Sequence, residues 1–487
     1  MSHMRSSRNN LMVKALAASV MTAAVVTPVA TENVQAAPVI KTTFKDVTKS
    51  HWAYESIKQV AEKGLVTGYE DGTYKPSAQV TRAEFATFLS RVFDSSERTT
   101  ASFNDVPGTH WANDAIQEGL ALGFIKVEDF ANNKFEPNKS MTRGEMSRWL
   151  ANALAHENAD YGKAIEEMAN SNLTLIPIPE FYKGGVNKKD LPYIGVALGT
   201  GLLSGYEDFT FKPIGNTTRA EVATILIRFM DTLKKVPSDF IGLQELREVA
   251  NTGTNILTLT NYEKMLYGDD NSTWYSIYEN AAKEKNMDFD EYVKMVFGEA
   301  YKLPVAGEAI GGFEDVLGKP YTLHNKRAVN TIERAIFVDT RGSQAKGVYK
   351  DMFFNPNADK GIFGETLNRN YYSVYYEYTT TPNQDTTLNS MMNGSIKGQV
   401  GDLRVNLVKA EQFGITTPRT TDGWYYEEVE KGVFKKITDN FFTKGKTVRY
   451  WAVQFAGSQA TTDPYSWDDI ISGRTDDGSR YWYKIIK

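Results

Sequence analysis

Apolar residues recur with helical spacing at three places in the first half of the chain. Phe85, Phe88, Leu89, Val92 and Phe93 lie at i, i+3, i+4, i+7 and i+8, and Val222, Ile225, Leu226, Phe229 and Met230 repeat the pattern. Met146, Trp149, Leu150 and Leu154 come close to it. Each run predicts an amphipathic helix with one wide apolar face. Each is preceded by Thr-Arg-x-Glu: Thr81 to Glu84, Thr142 to Glu145 and Thr218 to Glu221. Thr followed three residues later by Glu is a capping box, in which each side chain serves the other's backbone N–H. A second amphipathic stretch lies upstream, "HWAYESIKQVAEKGLV", with Trp52, Ile57, Val60 and Ala61 on one side and Gly64 placed to end it. Between them "GYEDGTYKP" reads as a turn carrying Gly68 and Gly72 and stopped by Pro76.

This helix–turn–helix unit occurs three times, over 44–93, 103–154 and 190–230. Asp46 precedes Trp52 by six positions, as Asp105 precedes Trp111, and Pro76, Pro137 and Pro213 each lie five residues before the motif Thr. The front of the third unit is degenerate. Three helices with one wide apolar face each want to pack together, which predicts an all-α three-helix bundle with pseudo-threefold symmetry inside one chain.

Capping explains Thr and Glu but not Arg. Arg82, Arg143 and Arg219 occupy the first helical position, where the helix dipole favours anions. A guanidinium beside exposed helix N–H groups suits a carboxylate or phosphate, and its planar fork is not replaced by Lys. The alternative is an Arg that is solvated or paired within the chain, to Glu84 or Asp46.

The pattern changes after "DTLKKVPSDF" (231–240), which reads as a boundary. Residues 241 to about 303 look helical; beyond them "RAIFVDT", "NYYSVYYEYTTT", "DLRVNLVKA", "TVRYWAVQFAG" and "SRYWYKIIK" look like strands. The 241–487 region is therefore expected to be α+β or mostly β. Residues 155–189 form an atypical insert with helix-forming "YGKAIEEMANSN". Chemistry is sparse in the second half. His324 is its only histidine, with no His-x-His or His-Glu-x-x-His beside it. Glu263, Asp269, Asp270 and Asp339 are acids without distinguishing context for glycoside cleavage. "YGDDNST" (267–273) lacks the twelve-residue calcium-loop pattern and reads as a polar turn. Trp424, Trp451, Trp467 and Trp482 either line a binding face or pack across strands. No catalytic residue, metal site or cofactor is assigned.

Composition narrows the class. The 487 residues suit two to four domains, and 41% hydrophobic with 24% charged residues is ordinary for a globular protein. A net charge of -5 without a Lys/Arg block argues against a nucleic-acid partner. With no cysteine there is no disulfide, thiol nucleophile or Cys-ligated zinc. Arg5, Arg8 and Lys14, the Ala-rich apolar run 16–30 and small residues up to Ala36 read as a secretory signal peptide over 1–36, with 1–3 as a vector-derived extension before Met4. No later segment is apolar and long enough to span a membrane.

The combined pattern, "F-x-D-V…H-W-A…G-Y-x-D-G-T…P…T-R-A-E", resembles the S-layer homology (SLH) domain over roughly 44–230, under half the chain. The resemblance implies repeats at 37–98, 99–160 and 161–235, the last with the insert, forming a pseudo-trimer around a central three-helix spindle. It implies a secreted protein at the wall or S-layer surface of a Bacillus-like Gram-positive bacterium, with the missing cysteines in keeping. It implies non-covalent binding of secondary cell-wall polysaccharide linked to peptidoglycan, often pyruvylated, whose carboxylate would meet the motif Arg. Neighbouring S-layer proteins are a second partner class. The first repeat matches fully: Asp46, Trp52, Gly68, Tyr69, Gly72, Arg82 and Glu84. The second keeps Asp105, Trp111, Arg143 and Glu145, loses the Gly-Tyr turn, and has Gly144 where Ala is usual. The third keeps Gly205, Tyr206, Arg219 and Glu221 but lacks the Asp and Trp. Sites between neighbouring repeats are expected, at least one competent and not three equal ones. Trp52 and Trp111 either stack on sugars or pack in the core. The runner-up reading is an SLH-tethered wall or glycan hydrolase.

Overall fold

The computed structural model describes residues 42–171, 176–266, 273–297, 309, 311–323, 326–339, 347–355, 360–361, 372–385, 426–430, 433–436, 442–456, 470–475 and 479–485. The proposed signal segment 1–36 lies outside them.

Three helix pairs form as the spacing predicts. They are α1 (Tyr54–Glu62) with α2 (Arg82–Phe93), α3 (Asn113–Ala121) with α4 (Arg143–Glu157), and α7 (Leu191–Gly199) with α8 (Arg219–Thr232). The insert supplies α5 (Ala159–Ala169) and the short α6 (Pro179–Tyr182) between α4 and α7. Each motif helix starts at its capping box: the amide of Glu84 donates to Thr81 Oγ1 at 3.2 Å and the amide of Thr81 to Glu84 Oε2 at 2.8 Å. Thr142 with Glu145 and Thr218 with Glu221 do the same. Gly64, Gly123 and Gly201 follow the first helices at φ +69, +72 and +74°, where a Cβ is strained.

The repeats interlock in a ring. The amide of Val80 donates to Thr217 O, that of Thr217 to Met141 O, and that of Met141 back to Val80 O, at 3.0, 3.2 and 2.7 Å. Gln79, Ser140 and Asn216, each two residues before a motif Thr, meet at one point: Ser140 Oγ and Asn216 Nδ2 both donate to Gln79 Oε1. The helices are exchanged in the same cyclic sense. α2 packs on α3, α4 on α7 and α8 on α1, so each motif helix rests mainly on the first helix of the next repeat. The motif helices also touch one another, through Phe85 with Trp149 and Phe93 with Phe229. No single repeat can bury its own apolar face, and ring closure supplies that burial.

The second half holds antiparallel sheets. One has the order Pro320–Thr322, Ala328–Asp339, Tyr372–Pro382, Val448–Ala456. Another places Arg480–Ile485 between Tyr262–Lys264 and Ile470–Arg474. Helices Thr273–Glu284 and Phe289–Phe297 lie in the expected helical part, although strand Tyr262–Lys264 interrupts it. The expected boundary at 231–240 is followed at once by α9 (Ile241–Thr252), which packs on both sides of it. A Cβ on Gly199 of α7 would lie 2.7 Å from Leu243 Cα, so α9 crosses α7 at glycine distance. Arg247 of α9 makes two hydrogen bonds to Glu167 of α5, at 2.6 and 2.8 Å. On the other side Asn255 donates to Phe337 O and accepts from its amide, tying the same segment to the Ala328–Asp339 strand.

Candidate functional site

The motif arginines sit at the three junctions of the ring, and all are buried at 4–6% exposure. Arg82 Nη1 donates to Phe135 O (2.8 Å) and Glu136 (2.9 Å) of the second repeat, and Nη2 to Glu145. Arg143 Nε donates to Phe211 O (2.8 Å) and Nη2 to Ser204 O (2.6 Å) of the third repeat. Arg219 Nε and Nη2 donate to Tyr74 O (2.8 Å) and Thr67 O (2.9 Å) of the first, and Nη1 to Glu84 (3.3 Å). Each guanidinium is thus a lock into the next repeat's turn, using the planar fork that Lys lacks.

The expectation of exposed helix N–H groups beside these arginines is corrected. The amide of Arg82 donates to Lys139 O and that of Ala83 to Pro137 O; Arg143 and Gly144 donate to Gly215 and Pro213, and Arg219 and Ala220 to Ala78 and Pro76. The third N–H goes to the capping Thr, so the turn of the neighbouring repeat fills the place an anion would take. This also explains the prolines five residues before the motif; at the unusual Gly144 an added Cβ would lie 3.1 Å from Pro213 O.

Asp46 and Asp105 are clips. Asp46 accepts the amides of Tyr74 (2.7 Å) and Lys75 (2.8 Å), and Asp105 those of Phe135 and Glu136 (both 2.8 Å). The third repeat, which lacks this Asp in sequence, uses Glu180 of the insert: its Oε1 accepts the amides of Phe211 (3.0 Å) and Lys212 (2.6 Å). Nothing in the spacing marks Glu180, because it comes from an element the other repeats do not have. Gly68 and Gly72 are structural too. A Cβ on Gly68 would lie 2.2 Å from the Phe44 ring, and Gly72 has φ +84°. Gly205 is less constrained, its Cβ position standing 3.4 Å from Thr210 O.

What differs between junctions is the rim. Half-buried Tyr69 lies between exposed Lys75, with Nζ 3.9 Å from the ring centroid, and buried Arg219 at 5.0 Å. Tyr206 lies in the same way between exposed Lys212 at 4.0 Å and Arg143 at 4.8 Å. Arg143 forms no salt bridge among the described residues; Glu221 reaches it only electrostatically, and burial lowers its pKa. At the Arg82 junction Phe130 replaces the Tyr, and Glu136 stands where the others have Lys. Lys139 and Arg82 hold the Glu136 carboxyl below the usual range.

Trp52 and Trp111 are not core residues. They are 66% and 62% exposed, because helices α1 and α3 begin two residues beyond them. The preceding His51 and His110 stack against them and accept the amides of Ala53 and Ala112 at Nδ1, at 3.1 and 3.2 Å, while the two alanines are buried. The His-Trp-Ala step therefore turns the indole outward.

Residues 43–86, 102–147 and 186–223 match the family profile of the S-layer homology domain. The N-terminal region carries three SLH domains. Among similar proteins, a cellulosome-anchoring protein of Acetivibrio thermocellus is 40% identical over 109 residues, covering 21% of this chain and 24% of that one. An S-layer protein of Bacillus anthracis is 29% identical over 211 residues, 43% of this chain and 23% of the relative. An endoglucanase of a Bacillus species is 26% identical over 231 residues, 47% of this chain and 23% of the relative. The chain thus spans under a quarter of the length of these relatives.

Beyond the SLH domains, the acids and aromatics singled out in the sequence are scattered. Glu263 pairs with Lys484 at 3.7 Å, and Asp339 is buried at the end of its strand. Trp451 is buried, 5.4 Å from the Phe353 ring, and Trp482 lies half-buried in the Arg480–Ile485 strand. His324, Asp269, Asp270, Trp424, Trp467, residues 267–272 of the polar turn and the expected strand "DLRVNLVKA" lie outside the described residues. No helix among the described residues is long and apolar enough to cross a membrane.

Proposed function

We propose that the SLH region is a wall anchor that closes on itself as a pseudo-trimer and binds an acidic secondary cell-wall polysaccharide at two of its three junctions. The observation that carries this reading is the rim. Lys75 over Tyr69 and Lys212 over Tyr206, the latter also 3.5 Å from exposed Asp208, each offer an exposed cation above an aromatic face, backed by a buried guanidinium. A carboxylate-bearing sugar, such as a pyruvylated N-acetylmannosamine, pairs its acid with the exposed ammonium, which the ring beneath holds in place. Arg143 and Arg219 add positive potential from beneath without leaving their backbone carbonyls. The Arg82 junction is neutralised by Glu136 and binds poorly. Trp52 and Trp111 add exposed platforms for further sugars. Two modest sites on one polymer give long residence through avidity. The protein then sits at the cell surface, as its S-layer and anchoring relatives do by name, and displays the C-terminal region there, beside neighbouring S-layer proteins.

The test is co-sedimentation of the full chain with purified walls, before and after the polysaccharide is removed. Binding should require the polysaccharide and fall in Lys75→Glu and Lys212→Glu. Sedimentation unaffected by both changes contradicts the reading. Soluble sugar released in the same tubes would instead support the hydrolase alternative.

A further inference from the structure

We infer that helix Val348–Phe353 of the C-terminal region positions the turn of the third repeat, in the place that a phenylalanine of the repeat itself takes in the other two. That turn, Ser204–Lys212, accepts the donors of Arg143 and carries Tyr206 and Lys212. Matching the clips shows what backs each turn. Phe44 lies two residues before Asp46, and Phe103 two before Asp105. Each ring packs 5.2 Å from the ring of the residue whose amide that Asp accepts, Tyr74 or Phe135. A Cβ on Gly68 would run into the Phe44 ring. In the third repeat the clip is Glu180, and two residues before it stands buried Ile178. Ile is smaller than Phe, and no ring covers the turn glycine: a Cβ on Gly205 would meet only Thr210 O within 4 Å. The room left is a cavity of about 50 Å³. Ile178, Gly205, Phe209 and Phe211 wall it from the repeat, and Val348 and Met352 wall it from the C-terminal region.

The turn itself is altered to suit this wall. Phe209 stands where the first repeat has Gly72, and both keep left-handed backbone, at φ +63° and +84°. A bulky residue holds that conformation only where its surroundings fix it, and Phe209 is buried against the cavity. The helix is mounted to make the contact. Val348 and Met352, four residues apart, share one face. Tyr349 and Phe353 share the next and hold the helix on the sheet, where Phe353 stacks on Tyr375 at 4.2 Å. The amide of Val348 donates to Glu245 of α9 at 2.6 Å. The same α9 is pressed between both regions: a Cβ on Gly242 would lie 2.9 Å from Gly199 O of α7 and 3.1 Å from Val348 Cβ. Met352 and Val348 are therefore positioning residues for the third repeat, and the C-terminal sheet is carried in a fixed orientation on the ring. The effect on wall affinity rests on the proposed function; the positioning does not.

The experiment is amide hydrogen exchange on the full chain, comparing Ser204–Lys212 with the matching Thr67–Lys75 of the first repeat. Met352→Ala should speed exchange in Ser204–Lys212 by about tenfold or more and leave Thr67–Lys75 unchanged. Val348→Ala should give the same pattern at smaller size, and it remains informative if Met352→Ala unfolds the C-terminal region. Ile178→Phe supplies the missing ring from within the repeat, so the Ile178→Phe/Met352→Ala double variant should recover slow exchange. A role confined to the stability of the C-terminal region would not respond to Ile178→Phe. The inference is overturned if Ser204–Lys212 stays as protected as in wild type in both alanine variants. It is equally overturned if Thr67–Lys75 loses protection to the same extent, or if the double variant exchanges as fast as Met352→Ala. Under the proposed function, Met352→Ala should also weaken wall binding several-fold and the double variant should restore it. Faster exchange with wall binding unchanged would uphold the positioning and contradict the Lys212 rim instead.

Discussion

The Arg82 junction and the Arg219 junction share the same lock and differ at the rim. In both, a buried Arg at the first position of a motif helix donates to a carbonyl of the next repeat's turn and pairs with the next capping-box Glu. Above the lock, one has Glu136 and Phe130 and the other has Lys75 and Tyr69. The recurrent Arg is thus accounted for by closing the ring, and under the proposed function selectivity falls to residues that vary. Recurrence of a residue in a repeat does not separate folding from binding; its burial does.

The largest expected effect follows from the shared part. Arg82→Ala or Arg219→Ala leaves a buried carbonyl and a carboxylate without their partner, at a cost of about 3–5 kcal/mol. The melting temperature should fall by about 10 °C or more in calorimetry. Arg→Lys should recover only part of that loss. Wall binding lost in these variants would therefore report unfolding. A second large effect is expected at Glu180. Removing it in Glu180→Ala strips the buried amide of Phe211 of its acceptor, for about 1–3 kcal/mol, whereas an Ala at exposed Glu166 should cost almost nothing.

The differing part predicts the opposite profile. Lys75→Glu/Lys212→Glu should cut wall affinity by about a hundredfold, since losing both sites also loses avidity. Its melting temperature should stay within a few degrees of wild type, because both side chains are exposed. Glu136→Lys should raise affinity several-fold by making the third rim resemble the other two. A pH-dependent effect separates the ring from the C-terminal region. Burial raises the pKa of Glu245 on α9 to about 8, although Val348 N and Asn255 Nδ2 donate to it. Its folded pKa exceeds the unfolded value, so its contribution is present at low pH and is lost as pH rises from about 4.5 towards 8. Calorimetry over that window should show a falling melting temperature for wild type and a flatter curve for Glu245→Gln.

Much of the ring was legible in sequence because its physics is local. Capping boxes, apolar spacing and helix-ending glycines are set within a few residues, and they placed α1, α2, α3, α4, α7 and α8. The clip at Glu180 and the outward Trp52 were not legible. Glu180 replaces Asp46 from a different element, and the Trp52 stretch continues a helical pattern that the backbone does not adopt until Tyr54. The partners of Arg82 were hidden for a related reason: position on a helix is local, but the carbonyls that take up its donors belong to another repeat. The junction between the SLH region and the sheets was also hidden. A segment with linker composition leads straight into α9, whose Gly242 and Leu243 press on Gly199.

The central claim is that the locks hold the ring and the lysine rims hold the polysaccharide. The most direct test measures wall affinity and melting temperature together for wild type, Lys75→Glu/Lys212→Glu and Glu136→Lys. The account predicts that affinity falls in the first variant, which melts like wild type, and rises in the second, which melts somewhat lower because buried Arg82 loses one of its carboxylate partners. Unchanged affinity in both would contradict it and leave the rims without a role in anchoring.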